Sequence, residues 1–248
     1  MRMMPRAVTK EVQSYKGTAL NMFYIYHHLG LGDHVICNGI VHHLLEKHNK
    51  IGLFCHGHYY KNVKLLYKDT PNVEVLPFEK ESEIVKFLSL IPEDQYKKIG
   101  FEKLTGYSEK GLSFDEAFYD LAGIDFNIRF EKFHLPRDEE SEQKILNELN
   151  PAGEKFIYVH DDPSRGFKIR ENSHRNDLKI IRNNYKFNLY EMFSIAVQAE
   201  EIHTMRTGML DLINGYNLNN TKLYVHEYVR NYDKFVHSKG LNEVISIS

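Results

Sequence analysis

Cysteine is scarce: Cys37 and Cys55 are the two among 248 residues. Both lie in apolar runs, and neither a disulfide framework nor a zinc-ligand spacing can be built from them. They are read as buried free thiols in a reducing compartment. No apolar run reaches the ~18 residues that a transmembrane helix needs. The stretch from Met1 to Lys16 is polar with scattered charges and lacks the apolar segment of a secretory signal, so a cytoplasmic protein is expected. Charge of one sign is also missing. With 32 Lys and Arg against 34 Asp and Glu, the formal net charge is −2, and no global basic field exists to hold a nucleic-acid backbone. There is no P-loop, no G-x-S-x-G elbow, no H-E-x-x-H and no fixed-period repeat. What is present is an ordinary globular balance, 42% hydrophobic and 27% charged, in a chain long enough for one large or two small domains.

Along the chain, short apolar runs alternate with segments of helical period. Met22–Tyr26 is a strand buried on both faces, ending in a glycine-bearing turn. A helix from about Asp33 to Lys47 carries Ile36, Ile40, Val41, Leu44 and Leu45 at helical spacing. Then follow a strand at Ile51–Cys55, a helix around Tyr59–Tyr67, a strand near Val73–Leu76, helical stretches at Glu81–Leu90 and Phe114–Leu121, and a short strand at Tyr96–Ile99. A charged segment over 138–149 leads to the breaker Asn150-Pro151-Ala152-Gly153, where a domain boundary is placed. The alternation then restarts. Strands fall at Phe156–His160, Leu178–Ile181, Glu201–Met205 and Lys222–Val225. One helix follows Asn188, with Glu191 three residues on as in a capping box, and another opens at Thr207-Gly208. The tail past Arg230 carries no clear pattern. This order predicts an α/β chain of two parallel-sheet lobes, residues 1–150 and 151–248.

Three segments can carry chemistry. In Gly30-Leu31-Gly32-Asp33-His34, two glycines let the backbone turn tightly and approach a ligand, and the following helix offers unpaired N–H groups. The same glycines could simply shape a strand-to-helix turn. Asp33 sits at the carboxyl end of a parallel strand, where α/β proteins bind ligands. It can take a proton from a hydroxyl or cap the helix. In His160-Asp161-Asp162-Pro163-Ser164-Arg165-Gly166-Phe167-Lys168, Arg165 suits bidentate phosphate contact and Lys168 supplies a point charge. Here Asp and Arg can also pair with one another, and two adjacent carboxylates without a third ligand are a weak metal signal. In Arg206-Thr207-Gly208, a hydroxyl and a glycine open a helix, which is either phosphate-receptive or plainly capped. His42 and His43 are adjacent on the polar side of a helix and cannot easily share one ion. His27, His28 and His56 end strands near the expected cleft.

Taken in order, these three segments resemble the GT-B glycosyltransferases, especially the heptosyltransferase-like group, in a shorter chain. The resemblance implies two Rossmann-like lobes with parallel sheets facing a central cleft. The acceptor-side lobe is N-terminal, and the C-terminal lobe holds the nucleotide sugar. It implies an inverting, metal-independent transfer of a sugar from a nucleoside-diphosphate donor to a glycan or other hydroxyl acceptor, with no separate cofactor. Asp33 matches the family's catalytic base. Arg165 and Lys168 match its phosphate loop. Thr207 and Gly208 match its late diphosphate-binding turn, with Arg206 standing where that turn is acidic. Gly30 and Gly32 belong to the donor-side turn. His160 and Glu191 are neighbours of the nucleotide, and His27, His28 and His56 of the acceptor. The departure at Arg206 keeps a non-catalytic sugar-nucleotide or glycan-binding module as an alternative. An NAD-dependent oxidoreductase is a further one, but Val35 occupies the third glycine position of a dinucleotide turn and no acidic residue follows the second strand.

Overall fold

The computed structural model describes residues 22–27, 30–100, 106–162, 165–170, 175, 177–216, 218, 221–228 and 243–247. His28 of the expected acceptor group and the N-terminal arm lie outside them. Nine strands form two sheets among these residues. The first, in order β3-β2-β1-β4, takes β1 (Phe23–Tyr26), β2 (Ile51–His56), β3 (Val73–Phe78) and β4 (Tyr96–Lys98). The second, in order β6-β5-β7-β8-β9, takes β5 (Phe156–Val159), β6 (Lys179–Arg182), β7 (Glu201–Thr204), β8 (Lys222–His226) and β9 (Glu243–Ile247). Every pairing is parallel, with Ile25 opposite Leu53 in the first sheet and Val159 opposite His203 in the second. All strands therefore point their carboxyl ends to one edge of their sheet.

Strand alternation sorts side chains onto two covered faces, as a buried parallel sheet requires. Tyr24 and Tyr26 of β1 pack with Phe54, Phe78, Ile84 and Leu88. Ile25 turns the other way, onto Val35, Ile40 and Leu53. In the second sheet Ile157 and Val159 face Ile169 and Met205, while Phe156 and Tyr158 join Ile25 and Leu53 in one continuous apolar core. The lobes are thus packed on each other through shared apolar contacts and not merely tethered.

Helices fill the spaces between strands. α1 (Leu31–Ile36) and α2 (Asn38–Leu45) replace the single helix that the sequence suggests. The chain steps out of helical geometry at Cys37, with φ −80° and ψ 0°. There the Tyr119 hydroxyl donates to the Ile36 carbonyl at 2.9 Å and Asn38 Oδ1 accepts the His134 N–H at 2.8 Å, so tertiary contacts override local periodicity. α3 (Tyr60–Leu66) and α4 (Glu81–Leu88) complete the connections of the first sheet. α5 (Phe114–Ala122) starts in a full capping box, Ser113 with Glu116, and leads to the short α6 (Ile128–Glu131). The chain then crosses to the other lobe. His134 pairs with Asp69 of the first lobe at 2.7 Å, and Arg137 lies over the rings of Phe193 and Tyr216 of the second. α7 (Glu139–Leu149) packs on α8 (Leu189–Ala196), and α9 (Gly208–Tyr216) follows β7.

One further expectation is corrected, and the tail gains an element. His42 is half-buried, not on a solvated helix face. Its ring sits 5.8 Å from that of Tyr67 and 5.5 Å from that of His134, and burial pushes its pKa down to about 4. The tail contributes β9, a parallel edge strand built from the run Val244-Ile245-Ser246-Ile247. Cys37 and Cys55 are buried free thiols, as their apolar settings suggest.

Candidate functional site

The carboxyl edges of the two sheets open on a shared hollow of about 620 Å³ between the lobes. Asp33, Arg165, Arg206, Thr207 and Gly208 all line it. The elements that deliver them are the β1–α1, β5–β6 and β7–α9 connections, each at the C-terminal end of a strand.

Asp33 lies at the third position of α1, one turn past the cap. Its Oδ2 accepts the Gly30 N–H at 2.8 Å. A Cβ on Gly30 would fall 2.8 Å from that same oxygen, so the glycine is what lets the carboxylate fold back over the turn. Asp33 thus steadies the start of its helix while lining the hollow. Gly32 faces the opposite lobe. A Cβ there would meet Asp211 Oδ2 at 2.9 Å and the Cα of Gly208 at 3.7 Å.

The β5–β6 loop is held by its own acidic pair. Asp161 Oδ1 accepts the Ile169 N–H at 2.8 Å, and its Oδ2 pairs with Arg182 at 2.7 Å. Asp162 and Phe167 exchange two backbone hydrogen bonds across the loop, and Arg165 reaches Asp162 at 3.3 Å. The Asp–Arg pairing open in the sequence is therefore present, while the Arg165 side chain remains 55% exposed at the hollow. Lys168 is exposed but lies outside the lining. His160 is buried at the back of the hollow, with Nδ1 3.1 Å from the Tyr158 hydroxyl. Burial pushes its pKa down to about 4 despite the charges of Asp161 and Asp162, so its imidazole is neutral at pH 7. Among the described residues no group of three or more His, Cys, Asp or Glu is placed to hold a metal ion.

In the third segment, Thr207 Oγ1 is buried without a hydrogen-bond partner among the described residues. A buried hydroxyl in that state costs stability unless something else completes it. Gly208 begins α9, and this helix start, whose first N–H groups have no partner within the helix, lines the hollow. Arg206 lies 3.7 Å from Glu227. Burial lowers its pKa against the opposing pull of Glu227, Asp115 and Asp211.

Other expected residues are placed elsewhere. Glu191 Oε2 accepts the Asn188 N–H at 2.7 Å, and Asn188 Oδ1 accepts from Tyr190 and Glu191. Glu191 serves this capping box and borders a separate small hollow. His27 is buried against His34, with ring centroids 4.2 Å apart. His56 packs on His58 and Phe78. Neither lines the central hollow, whose first-lobe wall includes Tyr59, Tyr107 and Phe114 instead. β2 ends in His56 without a carboxylate for a ribose, and Val35 is buried inside α1, which leaves the dinucleotide reading without its defining contacts.

The sequence reading misses a charged cluster behind the cleft. Arg129, 1% exposed, forms a close ion pair with Asp115 and lies 3.7 Å from Asp211. Asp115 and Asp211 both line the hollow. Burial pushes the Asp211 carboxyl well above the usual carboxylate range, with Asp115 and Asp33 adding to the shift and Arg129 and Arg206 opposing it. A signal was available: Asp211 lies one helical turn past Gly208, and Arg129 interrupts the aromatic and aliphatic segment Phe126–Phe130.

No protein-family model and no curated sequence matches the chain. Its fold does have solved counterparts. The structure of a glycosyl transferase family 9 protein from Veillonella parvula DSM 2008 aligns with a TM-score of 0.57, covering 92% of this chain and 85% of that one at 9% identity. E. coli ADP-heptose LPS heptosyltransferase II aligns with a TM-score of 0.56, covering 92% and 90% at 11% identity. The likeness is one of fold: two parallel α/β lobes in a GT-B-like arrangement.

Proposed function

We propose that this chain is a glycosyltransferase that moves a sugar from a nucleoside-diphosphate donor to an acceptor hydroxyl, with inversion and without a metal. The observation that carries the reading is that Asp33 shares one interlobe hollow with Arg165, Arg206 and the Thr207-Gly208 helix start. Asp33 acts as general base. It takes the acceptor hydroxyl proton as that oxygen bonds to the anomeric carbon, while the bond from that carbon to the diphosphate oxygen breaks and its electron pair leaves with the diphosphate. The developing negative charge is met by Arg165, Arg206 and the amides at the start of α9. Thr207 Oγ1 gains in the donor the partner it otherwise lacks. His160, neutral, offers one hydrogen bond to the nucleotide without competing for phosphate. The two free thiols suit a reducing compartment, and the reading places the protein in the cytoplasm. No helix among the described residues is long and apolar enough to cross a membrane.

Thermal-shift screening against ADP, UDP, GDP and their sugars tests donor binding. A donor at 100 times its Kd stabilises the fold by about 2.7 kcal/mol. Asp33→Asn then abolishes transfer and keeps donor binding. Wild-type protein that binds donors yet neither transfers nor hydrolyses the sugar would support a binding module on the same fold. Protein indifferent to the whole panel would end both readings.

A further inference from the structure

The Asp33, Asp115 and Asp211 carboxyls reach the hollow from three different helices, α1, α5 and α9. Two guanidiniums lie among them. Arg129 is committed to Asp115 by the closer contact, and its Nε and Nη2 have no hydrogen-bond partner among the described residues. Asp211 sits 3.7 Å from Arg129 without a hydrogen bond, and a Cβ on Gly32 would lie 2.9 Å from its Oδ2. Arg206 is drawn toward Glu227. On the helices packed against α9, His34 of α1 is turned onto His27, Glu131 of α6 is exposed, and Glu191 of α8 is occupied by Asn188. Nothing on those elements offsets the excess of carboxyls over guanidiniums. A diphosphate entering the hollow brings two more negative charges to the same place.

We propose that Asp211 is a proton-holding carboxyl of the donor site, which must be neutral for a nucleoside diphosphate to occupy the cleft, so that donor binding is linked to the uptake of one proton. The inference rests on the donor reading above and specifies how this chain meets the charge. Burial and the neighbouring carboxyls favour the protonated form of Asp211, while Arg129, which opposes them, is held closely by Asp115 and reaches Asp211 only at 3.7 Å. Neutral Asp211 does not compete with the donor for Arg206. Once ionised, it competes for Arg206 and repels phosphate oxygens.

Calorimetry with the nucleotide sugar selected by the panel tests this. The sugar diester has no ionisation of its own between pH 6 and 9, whereas a free diphosphate does. Above the ionisation of Asp211, affinity should fall about tenfold per pH unit. Binding enthalpies in two buffers of different ionisation heat should show proton uptake over that range. Asp211→Asn should bind at high pH as wild type does at low pH, with no proton taken up. Asp33→Asn should keep the linkage. Flat affinity with no proton uptake in wild type overturns the inference while leaving the donor reading intact. Linkage lost in Asp33→Asn but kept in Asp211→Asn overturns the assignment to Asp211. Failure of every nucleotide sugar to bind overturns inference and donor reading together. The wild-type buffer comparison needs no variant, so a poorly folding Asp211→Asn would not rescue the idea.

Discussion

Gly32 and Gly208 meet backbone to backbone across the cleft: a Cβ on the first would lie 3.7 Å from the Cα of the second, and a Cβ on the second 3.6 Å from the Cα of the first. The contact brings the starts of α1 and α9 together and fixes how close Asp33 comes to the Thr207-Gly208 turn. Gly32→Ala would also set its methyl 2.9 Å from Asp211 Oδ2, forcing the carboxyl off Gly32. An overpacking cost of about 1–3 kcal/mol is expected, read as a lower urea midpoint with unchanged m-value. Gly208→Ala meets its nearest atom, Leu189 Cδ2, at 3.3 Å, so a smaller loss is expected. The reverse order would show that the lobes do not meet this way.

Arg129 argues a second prediction. It is a fully buried cation between α5 and α9, holding Asp115 closely and Asp211 at longer range. Arg129→Met keeps much of the volume but strands the Asp115 carboxylate, and breaking such a pair costs about 3–5 kcal/mol. Adding Asp115→Asn should return a good part of that loss, because the penalty is an uncompensated charge and not a cavity. If Arg129→Met unfolds with wild-type stability in guanidinium chloride, the cluster carries no structural energy.

How much of this was legible beforehand follows from the kind of signal each feature leaves. The strands from Phe23 to Val225 and the capping box at Asn188 are written locally, in alternation and in residue type at fixed offsets. The cleft positions of Asp33 and Arg165 were legible because both follow strand ends, and a parallel sheet gathers its strand ends at one edge. The Arg129–Asp115–Asp211 cluster is not local. Asp115 and Asp211 lie 14 and 82 residues from Arg129 along the chain, and Asp211 joins only after the crossing at 132–137 brings the lobes together. His42 was misjudged for the same reason: its helix face is covered by His134, which arrives from 92 residues away.

The pH dependence of stability should have two limbs of opposite sign. Folded His160 refuses a proton until about pH 4, whereas the unfolded chain takes one near the ordinary imidazole value of 6.5. The unfolded state therefore binds more protons between these values, and stability falls as pH drops through that window. His42 contributes in the same window, and buried His34 in the same direction. Asp211 acts oppositely. Its raised pKa favours the fold below the ordinary value of 3.8, and that contribution is lost as pH rises toward the folded value. Unfolding free energies across pH 4–6.5 should have a shallower slope in His160→Asn, by up to about 1.4 kcal/mol per pH unit. An unchanged slope would mean that His160 takes up its proton in the folded protein as it does in the unfolded chain.

Arg165 and Lys168 separate two ways of holding phosphate on the β5–β6 loop. Arg165 lines the hollow, beside Asp162. Lys168 is exposed and lies outside the lining, past the bridge that closes Asp162 on Phe167. If the loop acts through a directed guanidinium, Arg165→Ala should weaken binding of the nucleotide sugar about tenfold, near 1.4 kcal/mol. Arg165→Lys should recover part of this, since it restores charge without the planar fork. Lys168→Ala should stay within about twofold at moderate salt, where a charge outside the hollow is largely screened. Equal losses at both positions, each vanishing as salt is raised, would mean instead that the loop supplies a diffuse positive field and that the geometry of Arg165 is incidental.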